Sequence, residues 1–143
     1  MRVLIDSDVC LDFLLQRPAH LPDANSLFAN IEMKTCSAYV CAVSLTTIHY
    51  IVRKEKDAAA ALAAVDGLLV LADVCQVNFA VLQNARALNF KDYEDAVQCA
   101  SAIAEGLDAI VTRNTKDFAN SPIEVYSPAD FLAHLHPAEA SNE

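Results

Sequence analysis

The residues of this chain that could do chemistry are acids far apart in sequence. Asp6 ends the apolar run "RVLI" (2–5), Asp95 lies in "KDYEDAVQCASA" (91–102), and Asn114 and Asp117 stand in "TRNTKDF" (112–118). Carboxylates gathered at one point repel unless protons or cations neutralise them. Mg²⁺ and Mn²⁺ are hard ions that take oxygen ligands and keep several waters. Each acid also has a plainer use. Asp is a favoured N-cap, and acids in a first turn oppose the positive end of the helix dipole. With Asp92 as N-cap, Asp95 falls at the third helical position of a loose capping box. Asp6 at a strand end reads equally well as a cap. The elements that carry these residues have to decide.

Apolar spacing predicts a buried strand at 2–5, a helix over 8–17 and a helix over 23–34 capped by Asp23. A second strand is expected at 38–43, followed by helices over 44–54, capped by Ser44, and over 57–69. A short third strand at 75–78 and a helix over 79–88 come next. The acid-rich stretch opens a helix that runs to Glu105 and is stopped by Gly106. Strands at 108–114 and 123–126 and a helix over 128–135, with proline first, complete the chain. Strands alternating with helices predict a three-layer α/β/α sandwich around a mostly parallel sheet. Ligands of such sheets bind beyond the carboxyl ends of the strands. Asp6, Asn114 and Asp117 all follow strands, and Asp95 opens the helix before the fourth. If the first and fourth strands are neighbours, these acids converge.

Composition fits that picture. A chain of 143 residues that is 55% hydrophobic with only 2 glycines makes one helix-rich domain, expected over 1–136 with a loose tail at 137–143. No apolar run reaches the ~18 residues of a membrane span. Asp6 and Asp8 interrupt the N-terminus early, unlike a signal peptide. The 5 cysteines form no CxxC and lie in apolar contexts, as reduced core residues of a cytoplasmic protein do. A net charge of −9 argues against general gripping of a phosphate backbone, which counterion release from a basic stripe normally drives. It leaves open a site where acids hold a metal and the metal meets the phosphate.

"VLIDSDVCLDFLL", "DYEDAVQCASAIAEGLDAIVTRNTKDF" and "VYSPADFL" resemble the PIN-domain family of metal-dependent ribonucleases, many of them VapC-like toxins of toxin–antitoxin pairs. The resemblance is strongest at the two ends and covers about two thirds of the chain. It implies that Asp6 and Asp95 are metal-binding acids and that Asp92 is an accessory acid. The later acid of the family falls on Asn114, with Asp117 beside it as the carboxylate. Asp8 stands where the family often has asparagine. One departure lies in the middle: the family's helix after strand two usually carries a glutamate, and "SLTTIHYIVRK" holds no acid. Thr47 is the best match; it could hold a metal-bound water but brings no charge.

The resemblance thus implies a ribonuclease with Mg²⁺ or Mn²⁺ held by Asp6, Asp95 and Asp117. Asn114 and Asp92 would be outer partners, and Asp8, Thr47, Thr112 and Arg113 accessory candidates. RNA is the implied substrate, an antitoxin a candidate partner and a homodimer the expected assembly. Plainer roles stand beside these: Thr112 and Thr115 as turn residues, Arg113 and Lys116 paired with nearby acids, Tyr50, Tyr93 and Phe118 as packing residues, and Glu94 facing solvent. Two other functions remain open. The DxD of Asp6 and Asp8 also fits a haloacid-dehalogenase-like phosphatase, and a PIN fold with a degraded site would serve as a binding module.

Overall fold

The computed structural model describes residues 1–137. Its five strands are β1 (Arg2–Ile5), β2 (Ser37–Cys41), β3 (Asp73–Cys75), β4 (Ala109–Val111) and β5 (Glu124–Tyr126). They form one sheet in the order β3-β2-β1-β4-β5, and every pairing is parallel. The expected, mostly parallel sheet is therefore wholly parallel. Helices α1 (Ser7–Leu14), α2 (Leu21–Glu32), α3 (Ala42–Glu55), α4 (Ala58–Leu71), α5 (Phe79–Ala87), α6 (Tyr93–Glu105) and α7 (Pro128–Leu135) connect them. The sheet residues sort by alternation into two cores, as side chains of period two must. Val3, Ile5, Ala38, Val40, Ala109 and Val111 pack with residues of α1–α4 and α7. Leu4, Tyr39, Cys41, Cys75 and Ile110 pack with residues of α5 and α6 on the other face. This is the three-layer sandwich. The five cysteines are free and buried.

This order creates a switch point. The chain leaves β1 toward β2 and β3 on one side, then returns to β4 and β5 on the other. The crevice between diverging connections lies at the carboxyl ends of β1 and β4. Register makes those ends level: Ile5 pairs with Val111, and the Asp6 amide donates to the Val111 carbonyl at 3.0 Å.

Several boundaries differ from the expected ones. The helix expected at 8–17 begins at Ser7 and ends at Leu14, because Gln16 takes a left-handed φ of 53° ahead of Pro18. Asp23 does not cap α2: the helix opens at Leu21 with His20 at the cap position and Pro22 in its first turn. Nor does Ser44 cap α3, because β2 passes straight into the helix at Ala42, leaving Ser44 buried in the first turn. The third strand lies at 73–75 rather than 75–78, and the fourth spans only 109–111 of the expected 108–114. A short 3₁₀ helix at Thr115–Phe118 takes up the residues after it. The helix at the acid-rich stretch is as expected. Asp92 caps it, accepting from the Asp95 amide at 3.0 Å, and Gly106 ends it with a φ of 73°. From residue 138 onward the expected loose tail lies outside the described residues.

Candidate active site

Asp6 sits at the N-cap position of α1, yet its side chain makes no cap hydrogen bond. Its carboxylate, in a residue only 3% exposed, accepts from the Thr112 hydroxyl at 2.7 Å, the Gln98 side-chain amide at 3.1 Å and the Ser7 hydroxyl at 3.3 Å. These donors come from the start of α1, from α6 and from the residue that follows β4, three segments that meet at the switch point. Burial is the main force lifting the Asp6 pKa above the ordinary carboxylate range, with the Asp8 charge adding to it. The three hydrogen bonds pull the other way.

Asp95 is half-buried in the first turn of α6, where Asp92 does the capping. Its pKa is pushed up to about 7, first by burial and then by the charges of Asp6, Asp92, Asp117 and Glu94. Asp117 stands exposed on the 3₁₀ helix that follows β4, and its charge reaches Asp95. Asn114 donates from its side chain to Asp8 at 3.1 Å, and its backbone amide donates to the Thr112 hydroxyl at 3.0 Å. Thr112 is thus no plain turn residue. It is fully buried and ties Asp6 to Asn114.

Two candidates take other places. Arg113 turns to Asp12, donating from Nε to Oδ2 at 2.6 Å, so its guanidinium is spent on a structural partner. Asp12 is 1% exposed and also meets Arg17 at 3.4 Å. Thr47 donates to Glu94 at 3.2 Å. The solvent position expected for Glu94 is therefore wrong: it is partly buried, and the charges of Asp92, Asp6 and Asp8 reach it. Two adjacent helical residues diverge by about 100°, but α6 opens directly onto the cleft, so both directions stay inside it. Of the expected packing residues, Phe118 is buried, whereas Tyr50 and Tyr93 are 65% and 47% exposed. The motifs do not single out Gln98, although the sequence carries a signal for it: it follows Asp95 by three residues and so shares its face of α6.

Among the described residues no three His, Cys, Asp or Glu side chains close to metal-holding separation. The donor set still suits a hard divalent ion, which binds through one or two carboxylates and keeps its waters. Gln98 supports the fit. Its amide lies against Asp6, and its buried Oε1 has no hydrogen-bond partner, a demand that water or a cation meets. Burial first, and the neighbouring acids after it, raise the pKa of Asp6, Asp95 and Glu94, and among the described residues no ion pair reaches any of the three.

Burial among other acids predicts a pH dependence for Asp95. The folded protein holds the Asp95 proton up to about pH 7, against an ordinary value of 3.8. Its contribution to stability is complete below the ordinary value and is lost as the pH rises through about 7. In chelator, the melting temperature should fall between pH 5 and pH 8, and Asp95→Asn should flatten that fall. Equal slopes for the two proteins would show that neither burial nor the neighbouring charges perturb Asp95.

A wholly parallel sheet in this order, with acids at its carboxyl edge, defines the class of α/β sandwich that the motifs resemble. The family model for the PIN domain matches residues 2–116, and the chain belongs to the PIN-domain family. Among solved structures it is similar to VapBC2 from Rickettsia felis bound to a promoter DNA fragment, with a TM-score of 0.69 and 18% identity over 89% of this chain and 98% of that one. A toxin–antitoxin complex from Klebsiella pneumoniae gives a TM-score of 0.67 and 21% identity over 88% and 97% of the two chains. The sarcin–ricin loop cleaving toxin VapC20 of Mycobacterium tuberculosis gives 0.64 and 16% over 76% and 86%. A comparison with curated proteins gave no match. The family is not that of the haloacid-dehalogenase-like phosphatases, the alternative that the DxD left open. No helix among the described residues is long and apolar enough to cross a membrane.

Proposed function

We propose that this chain is a divalent-metal-dependent ribonuclease, the toxin of a toxin–antitoxin pair acting in the cytoplasm. The observation that carries this reading is Asp6: a carboxylate at an N-cap position that caps nothing and is held instead at the switch point by Thr112, Gln98 and Ser7. Mg²⁺ or Mn²⁺ is the fitting cofactor, with Asp6, Asp95 and Asp117 to hold it and Asn114 and Asp92 as outer partners. When bound, such an ion supplies a nucleophile at neutral pH and neutralises charge on the leaving oxygen. The chain's own residues do the positioning. Thr112 and Gln98 orient the Asp6 carboxylate, Asp92 fixes the start of α6 and so the aim of Asp95, and Asn114 steers Asp8.

The relatives support one of the proposed partners. The Rickettsia felis structure is of a VapBC2 complex and the Klebsiella pneumoniae one is a toxin–antitoxin complex, which supports an antitoxin partner here; a homodimer is the proposed assembly. RNA is the proposed substrate, in keeping with the cleaving activity named for the Mycobacterium tuberculosis toxin. With net charge −9, contact with phosphate would run through the metal rather than a basic surface. Incubating the purified protein with structured RNA should give cleavage in Mg²⁺ or Mn²⁺, none in chelator, and recovery when the ion returns. Cleavage that persists in chelator would overturn metal dependence. No cleavage with either ion would favour a PIN-fold binding module.

A further inference from the structure

Glu94 is an acid at the cleft to which the catalytic assignment gives no role. A glutamate in an exposed first turn would ordinarily extend into water and complement the helix dipole. This one does not. It is partly buried, and the Thr47 hydroxyl, 47 residues away on α3, donates to its Oε1 at 3.2 Å. The charges that reach it are those of Asp92, Asp6 and Asp8. Among the described residues the ion pairs join Arg2 to Glu105, Arg17 to Asp12 and Glu55, and Arg113 to Asp12, so none relieves Glu94. A carboxylate held among carboxylates by a single neutral donor is costly unless a cation completes the arrangement. A second observation lies beside Asp6: the amide of Gln98, 1% exposed, donates to Asp6 while its Oε1 finds no donor.

We infer that Glu94 is a further metal-site residue, steered by Thr47 so that its carboxylate helps hold the divalent cation from the α3 side of the cleft. The inference rests on the metal site proposed above. The first turn of α6 then contributes on two sides, Asp95 toward Asp117 and Glu94 toward α3. α3 itself carries no acid in its "SLTTIHYIVRK" segment, so the charge on that side comes from α6. Thr47 is the positioning residue, and its neutral hydroxyl suits a neighbour that is already charged.

The test is calorimetric titration of Mn²⁺ into the wild type, Glu94→Gln, and Glu94→Gln combined with Thr47→Glu. Glutamine keeps the acceptor for Thr47 and removes only the charge, so a merely structural Glu94 predicts unchanged affinity. A metal-site Glu94 predicts Mn²⁺ binding about 10-fold weaker, the scale of losing a supporting partner of a metal site. The double variant returns a carboxylate to the same side from α3 and should regain most of that loss. Wild-type affinity in the single variant, or no recovery in the double, would overturn the inference while leaving the metal site standing. No Mn²⁺ uptake by the wild type would overturn both. Melting temperatures of the three proteins, taken in chelator, confirm that each is folded when titrated.

Discussion

Asp6→Asn is expected to lower metal-dependent RNA cleavage at least about 100-fold, beyond the loss seen when only a supporting partner of a metal site is removed. Its melting temperature in chelator should equal or exceed that of the wild type. Two effects oppose each other. Asparagine has one acceptor oxygen where Asp6 serves Thr112, Gln98 and Ser7, so one buried donor must find another partner. Such a loss costs about 1 kcal/mol or somewhat more. Against it, the buried carboxylate resists its own charge, because burial and Asp8 lift its pKa, and the amide removes that charge. Asparagine keeps the shape but lacks the charge a divalent ion needs. Cleavage retained alongside a large loss of stability would show that Asp6 serves the fold.

Arg113→Met is expected to destabilise the protein by about 3 kcal/mol, the range for breaking a buried ion pair from one side. Asp12 is nearly inaccessible and receives Arg113 at 2.6 Å. Without that partner a buried carboxylate keeps only Arg17 at 3.4 Å, which limits the loss without cancelling it. Methionine preserves most of the packing of the side-chain stem, so the effect reads the charge rather than a cavity. Urea denaturation measures it. A loss below about 1 kcal/mol would mean that Arg17 alone satisfies Asp12. The ion pair also ties α1 to the segment after β4. Asp8 and Asn114 are joined across the same two elements, so it braces the floor of the cleft.

Much of this arrangement was legible in the residues themselves. Alternating apolar runs and turn signals give the strand–helix order, and the principle that ligands bind beyond strand ends picks out Asp6 and Asn114 before any contact is known. Asp92 reads correctly as a cap because its role is local, settled within one helical turn. What the sequence left hidden is long-range. Nothing around Asp12 signals a partner 101 residues away. Thr112 reads as a turn residue until β4 is laid beside β1, whereupon its hydroxyl meets Asp6. Glu94 departs from its expected place in solvent for a related reason: helical geometry gives the angle between neighbouring side chains but not the direction in which the helix start faces. Ser44 and Asp23 show the limit of cap rules, since β2 runs into α3 without a loop and α2 starts ahead of its acid.

In the proposed function, the acids at the carboxyl edge of β1 and β4 hold a divalent cation. Diffraction from crystals grown with Mn²⁺, collected to bring out the anomalous signal of manganese, tests it directly. The expected result is a peak at the switch point with an Asp6 carboxylate oxygen at about 2.1–2.2 Å and the Asp95 carboxylate beside it, directly or through one water. Ordered water at that position with no anomalous peak, or manganese bound only away from Asp6 and Asp95, would contradict it.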